Sequence, residues 1–399
     1  MPPYCSTRFG SVFKPKAASW ISLYFSGLFF AWGIFLPFWA LWLESEGLDP
    51  SQIGMLLGFS MLARFLGNVL LMPRIKSAKH LLPGIRYVSF ASILVVASLC
   101  WLNGYFWLTL LTLAANFFIA TLIPLGDAVA TKWVSQLQLD YGRVRVFGSI
   151  AFIVSSTLLG LGLTYYSHSL ILYATLASLV VMWGLSLLTP ASPLVDEDHE
   201  GEPVSSKLWP VLKQAHALKF VLVSALIQGS HAAYYAYSTL YWKSIGYAES
   251  TIGYLWSIGV ALEMSILIFG SKWFKSWNAN KMFLLAAVGG VVRWGIFGST
   301  EVLPLMMLSQ GLHALTFALT QLAAIKYIAS EAPSSQAIPL QALYSAIALN
   351  MGTALLTFLS SALYKPMGSG IFFLIMGGLS ALAIPLLLLN AKSAKASNS

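Results

Sequence analysis

Apolar residues gather in this chain into long stretches parted by short polar connections. Twelve such stretches can be drawn, at 18–43, 52–72, 85–102, 105–130, 144–166, 169–189, 217–242, 250–270, 281–299, 303–327, 338–364 and 368–390. A helix crosses the hydrocarbon core of a bilayer with about 20 apolar residues. The pattern therefore predicts an all-α polytopic membrane protein with twelve transmembrane helices. The first stretch follows a polar, basic segment at 6–16. It is longer than the roughly 7–15-residue core of a cleavable signal and reads as a span.

The longest polar interruption, at 190–214, is rich in Pro, Ser and acidic residues. That composition without apolar periodicity indicates a linker. It predicts an N-terminal six-helix bundle at 1–190, a cytoplasmic linker at 191–216 and a C-terminal six-helix bundle at 217–399. The run Asp196-Glu197-Asp198-His199-Glu200 reads as a solvated part of that linker, because metal ligands must be held in place by structure. No metal and no other cofactor is expected.

Composition agrees with burial in lipid. The chain of 399 residues is 58% hydrophobic and 9% charged, with mean hydropathy +0.75, whereas soluble domains carry about 25% charged residues. Its 23 Lys and Arg are distributed unevenly. Lys243 and Lys365 lie in the connections on one side, Arg64 and Arg293 lie inside spans, and all the others lie on the opposite side. Positive charge collects in the cytoplasm, so both termini are expected there. The net charge of +9 expresses this bias and is no footprint of nucleic-acid binding. Cys5 and Cys100 fall in a cytoplasmic tail and a span, too far apart in kind and place for a disulfide.

The two halves repeat one another. Gly47 to Arg64 reads G-L-D-P-S-Q-I-G-M-L-L-G-F-S-M-L-A-R, and Gly246 to Glu263 reads G-Y-A-E-S-T-I-G-Y-L-W-S-I-G-V-A-L-E. An offset of 199 lays Gly47 on Gly246, Ile53-Gly54 on Ile252-Gly253 and Arg64 on Glu263. Parallel six-span halves about an axis along the membrane normal are one of the known transporter architectures, with the site between the halves.

Ionisable residues inside spans are costly and mark function. Arg64, Glu263 and Arg293 are all near mid-membrane; Arg293 lies about 12 residues, or roughly 18 Å, beyond Lys281. A carboxyl in hydrocarbon can take and release a proton as neighbouring charges come and go, which is what proton coupling requires, so Glu263 is the leading coupling residue. The alternative is a permanent ion pair with Arg64 or Arg293. Arg stays charged, so either arginine can bind an anion or serve in pairing. In span seven Gln228, His231, Tyr235 and Ser238 share a helical face; in span ten Gln310 and His313 begin another. Asp127 and Arg145, across a short turn, can meet as an ion pair or hold a polar substrate. Trp32 and Trp256 are the aromatic pocket candidates, suited with the cations to a carboxylate on an apolar body.

Six stretches carry a family resemblance: G-I-F-L-P-F-W (33–39), L-D-Y-G-R-V-R-V-F-G-S (139–149), Q-G-S-H-A-A-Y-Y (228–235), G-Y-L-W-S-I-G-V (253–260), V-V-R-W-G-I (291–296) and L-Q-A-L-Y-S-A (340–346). With them the chain resembles the phenylpropionate permease group of the major facilitator superfamily, proton symporters distantly related to lactose permease. The resemblance implies the major facilitator fold and residence in the bacterial inner membrane. Asp127 and Arg145 resemble the acid and arginine of sugar recognition in lactose permease, and Arg293 and His313 resemble its span-nine arginine and span-ten histidine. Its proton-carrying glutamate is replaced by Thr316, a nearby lysine by Gln310, two span-seven aspartates by Gln228 and His231, and its span-eight glutamate by Val260. The coupling network is thus rebuilt with fewer charges, and lactose-type recognition is not expected.

The expected function is secondary active transport by alternating access: uptake of an aromatic or other small organic acid with a proton, by a monomer in the bilayer. Proton coupling falls to Glu263, His313 and Arg293. Substrate binding falls to Arg64, Asp127, Arg145, His231, Tyr235, Trp32, Trp256 and Gln310. The rivals are a sugar or nucleoside symporter, an exporter, and a ligand-binding sensor. A polytopic membrane enzyme would need nucleophiles, ligands or acid clusters at the surface, and the short loops offer none.

Overall fold

The structure, a computed structural model, describes residues 15–75, 77–195, 208–333, 336–367 and 369–396. Residues 1–14, with Cys5 and most of the basic segment, and the acidic run at 196–200 lie outside the described residues. Six long helices form the N-terminal half: α1 (Ala17–Ser45), α2 (Pro50–Leu71), α3 (Leu81–Ser98), α4 (Tyr105–Leu137), α5 (Tyr141–Leu163) and α6 (Ser169–Leu187). Within the expected linker, α7 (Leu208–Leu212) is a short helix. The C-terminal half follows with α8 (Ala215–Gly229), α9 (Ala232–Ser244), α10 (Glu249–Trp273), α11 (Ala279–Ser299), α12 (Leu303–Gly311), α13 (Thr320–Lys326), α14 (Ala337–Leu343), α15 (Gly352–Met367) and α16 (Ser369–Ala396).

Among the described residues, eleven helical stretches are by themselves long and apolar enough to cross a membrane. The twelfth expected span is present in two pieces. Its helix breaks between α8 and α9, at Ser230 and His231. The Ser230 hydroxyl donates to the Ile227 carbonyl at 2.7 Å, and His231 Nδ1 faces the carbonyls of Gln228 and Ile227 at 3.1 and 3.2 Å. Side chains that bond nearby carbonyls in this way bend or interrupt helices. Spans ten and eleven are also irregular: π-helical turns occupy Ala314–Leu319, Tyr327–Glu331 and Tyr344–Met351. Such turns are rare and often accompany functional sites.

The repeat has a conformational basis. Gly47 and Gly246 have φ of +93° and +90°, with nothing within 4 Å of an added Cβ. Each is required by its left-handed turn, not by crowding. The second repeated glycine has another use. A Cβ on Gly54 would run into Tyr237 of the other half, and one on Gly253 would sit 2.5 Å from the Ser156 carbonyl. The repeat therefore places one glycine of each half against the opposite half. Where α5 meets α10, a Cβ on Gly160 would likewise sit 2.6 Å from the Glu249 carbonyl.

Polar contacts between the halves cluster at the end that carries these turns. Ser257 meets Ser156 and Thr157, each at 2.9 Å. Thr239 donates to the Pro37 carbonyl at 2.6 Å and Ser361 to the Ser51 carbonyl at 2.8 Å. Lys243 pairs with Glu44 at 3.6 Å, and His168 lies 3.3 Å from Glu249. This end is closed.

Candidate functional site

Arg293 of α11 is fully buried. Its Nε donates to the Ser309 carbonyl at 3.1 Å, and its Nη1 lies 3.0 Å from both His313 Nδ1 and the Thr316 hydroxyl. The rings of Trp294 and Tyr234 flank the guanidinium at 4.1 and 4.7 Å, a cation–π setting that offsets part of its desolvation. Because Arg293 only donates, His313 Nδ1 must accept and the proton of the neutral ring sits on Nε2. That nitrogen faces Glu263 Oε2 at 3.6 Å, with little of either side chain exposed.

A second branch leaves the same arginine. The Thr316 hydroxyl accepts from Arg293 and stands 3.0 Å from His231 Nε2. With Nδ1 of His231 donating to backbone carbonyls at the α8–α9 break, Nε2 is free to accept from Thr316. Glu263, His313, Arg293, Thr316 and His231 thus form one connected polar series, flanked by the rings of Tyr234, Trp294 and Phe317. His313 and Thr316 flank the start of the π-helical turn, whose wider spacing brings both toward Arg293.

The two repeat-related charges do not pair. Glu263 meets His313, while Arg64 gives its Nε to Asn116 Oδ1 at 2.7 Å and lies 4.9 Å over the Trp32 ring. Neither alternative of a Glu263 ion pair with Arg64 or Arg293 is realised, because an imidazole stands where a guanidinium was expected. Tyr235 of α9 lies against His231, ring centroids 6.0 Å apart, and lines a small cavity together with Arg64 of the other half. A cavity of about 20 Å³ is lined by Phe35, Trp39, Leu57, Met61, Arg64 and Tyr235, room for about one water. A larger cavity, about 640 Å³, opens among α8, α11 and α16 beside Lys219, Asn280 and Lys281 and touches none of the intramembrane charges.

The remaining expected residues divide. Trp256 lies tilted against the Tyr234 ring, centroids 4.6 Å apart, and donates to the Thr239 hydroxyl at 3.0 Å, so it braces the site from the closed end. Gln310 is fully buried beside Ser309, its Oε1 without a hydrogen-bond partner among the described residues. Asp127 and Arg145 do not form a direct ion pair. Tyr141 donates to Asp127 at 2.9 Å, and the Arg145 guanidinium turns onto the Phe29 ring at 3.8 Å. The ring face provides a partner that the carboxylate was expected to provide.

Three site residues were not singled out by sequence reasoning. Asn116 is a fully buried amide in an apolar stretch, a signal equal in kind to the charges. Tyr234 was hidden by its neighbour Tyr235. Thr316 was read only as the loss of a glutamate, though a hydroxyl can relay between donor and acceptor.

Residues 20–375 match the MFS_1-like family profile. A probable 3-phenylpropionic acid transporter of Escherichia coli (strain K12) is 37% identical over 378 residues, covering 94% of this chain and 98% of that protein. The putative nucleoside transporter YegT of the same organism is 25% identical over 343 residues, covering 82% and 79%. The crystal structure of the nucleoside transporter NupG superposes with a TM-score of 0.80 at 14% identity, covering 94% and 98%. At that identity the likeness speaks for the two-bundle fold alone.

Proposed function

The chain belongs to the MFS_1-like family of secondary transporters, and on that premise we propose that it takes up an aromatic or other small organic acid together with a proton. The single observation that carries the coupling is the buried carboxyl–imidazole–guanidinium series of Glu263, His313 and Arg293. Glu263 takes up the proton, His313 holds one ring proton toward it, and Arg293 fixes which ring nitrogen that is. The cargo class follows from similarity to a protein named a probable 3-phenylpropionic acid transporter, and from intramembrane cations set among aromatic rings.

In this reading the bundles, 1–190 and 217–399 joined by 191–216, rock about Tyr235. Both termini are cytoplasmic in the bacterial inner membrane, so the closed end faces outward and the site awaits release or loading from inside. The transporter acts as a monomer. Reconstituted protein should take up labelled 3-phenylpropionate faster when a pH gradient, acidic outside, is imposed, with protein-free vesicles as the blank. Uptake indifferent to the gradient removes the coupling, and no uptake beyond the blank removes the cargo.

A second reading, nucleoside uptake, is favoured by the similarity to YegT and by the uncharged polar groups of Gln228 and Gln310. Thermal stabilisation of the purified protein by uridine, and not by 3-phenylpropionate, would select it.

A further inference from the structure

Arg64 and Arg293 are both intramembrane guanidinium groups, yet their donors are committed differently. A carboxylate is best held by two parallel N–H donors along one edge of the guanidinium. Arg293 has Nε on the Ser309 carbonyl and Nη1 on His313 and Thr316, while Nη2 has no hydrogen-bond partner among the described residues. Each of its two edges therefore contains at least one donor already in use. Binding a carboxylate there would dismantle the imidazole contact on which the Glu263 series depends.

Arg64 has the opposite arrangement. Its Nε is occupied by Asn116 Oδ1 at 2.7 Å, and among the described residues neither Nη1 nor Nη2 has a hydrogen-bond partner. The edge formed by those two nitrogens is complete and unused. Asn116 determines which edge that is. Its Nδ2 donates to the Thr112 carbonyl at 2.9 Å, one turn earlier on α4, so its oxygen is turned to Arg64. The Trp32 ring at 4.9 Å then sets the plane of the guanidinium. The small cavity beside Arg64, room for about one water, has apolar walls in Phe35, Trp39, Leu57 and Met61, so a substrate body is admitted only as the bundles part.

We propose that Asn116 is a positioning residue: it occupies Arg64 Nε so that the Nη1–Nη2 edge is presented as the docking edge for the carboxylate of an arylalkyl acid, while Arg293 is reserved for the proton series. The inference rests on the organic-acid reading above and deepens it. It separates anion binding, in the N-terminal half, from proton handling, in the C-terminal half. Substrate and proton then act on opposite bundles, with Tyr235 between them.

The test is equilibrium binding of 3-phenylpropionate and of its neutral isostere 3-phenylpropionamide to the purified full-length protein. Wild type should prefer the acid. Asn116→Leu, which frees Arg64 Nε, should weaken acid binding roughly tenfold, the scale of a charge-assisted hydrogen bond, and leave amide binding unchanged. Asn116→Asp preserves the contact but neutralises the guanidinium, and it too should lose the acid preference; it serves as the check if the leucine variant does not fold. Arg64→Lys should lose the preference, whereas Arg293→Lys should keep it and lose gradient-driven accumulation. The proposal is overturned if both folded Asn116 variants bind the acid as wild type does. It is equally overturned if Arg293→Lys loses the preference and Arg64→Lys retains it. If wild type itself does not prefer the acid, the cargo reading fails and takes this inference with it. Failure in wild type and failure only in the variants are thus distinct results.

Discussion

Glu263 Oε2 lies 3.6 Å from His313 Nε2, and the orientation of that imidazole is dictated from its other side by Arg293. A carboxyl on α10 is in this way tied to a guanidinium on α11 through a ring at the head of a π-helical turn. A proton arriving at Glu263 changes the charge that the ring faces, and the change is felt along a series of fixed bonds. The geometry gives each residue in the series a separable effect.

Removing the Thr316 hydroxyl leaves Arg293 with fewer acceptors and His231 Nε2 without its donor. Unsatisfied buried polar groups cost about 1–3 kcal/mol each. Thr316→Val is expected to lower thermal stability by that order while Thr316→Ser stays near wild type. Differential scanning fluorimetry in detergent checks it; equal stability of all three contradicts it.

The break in span seven makes a further prediction. Trp294 Nε1 donates to the Ser230 hydroxyl at 3.0 Å, fully buried. Ser230→Ala orphans that indole and leaves the Ile227 carbonyl with one donor fewer. A loss of about 1–3 kcal/mol is expected, with Trp fluorescence reporting a changed indole environment. An unaltered emission maximum and unaltered stability would show that the bond is unimportant.

The closed end depends on glycine. Valine at Gly253 or Gly160 places side-chain carbon against backbone of the other half, where a single Cβ already falls at 2.5–2.6 Å. Overpacking of this kind costs about 1–3 kcal/mol, and separation of the bundles relieves it. Gly253→Val is therefore expected to shift the protein toward opening at this end. In a background freed of Cys5 and Cys100, a cysteine replacing Ser361 should label faster with a membrane-impermeant maleimide from the side that this end faces. Unchanged labelling in both glycine variants contradicts the assignment.

The ion pairs at the same end matter less. Lys243 and Glu44 are each about a third exposed, and exposed pairs contribute roughly 0–1 kcal/mol. Lys243→Ala should change the labelling rate by less than the glycine substitutions do. A larger effect would mean that charge, not close packing, holds the end shut.

Much of this architecture was legible in the chain. Apolar stretch length located the spans, because lipid leaves the backbone no alternative to helix. The Gly47 and Gly246 repeat was legible because a left-handed turn admits few residues. Arg64, Glu263 and Arg293 were conspicuous because charge in hydrocarbon is rare. Their partners were not. Opposite charges suggest pairing, but an imidazole and an amide took the places of the expected ions, and no spacing rule ranks those above a carboxylate. The break at Ser230 and the π-helical turns were hidden as well, since local side-chain bonds and tertiary packing create them within an apolar pattern that reads as continuous helix. Asp127 and Arg145 illustrate the same limit: their proximity was readable, but the intervention of Tyr141 and Phe29 was not.

Substrate-driven proton movement tests the central claim most directly. Proteoliposomes containing a trapped pH indicator are given a sudden inward gradient of 3-phenylpropionate with no pH difference, and the signal from protein-free vesicles is subtracted. Wild type is predicted to acidify the interior as substrate enters, and Glu263→Gln to bind and exchange substrate without acidification. Acidification by Glu263→Gln at the wild-type rate would contradict the account.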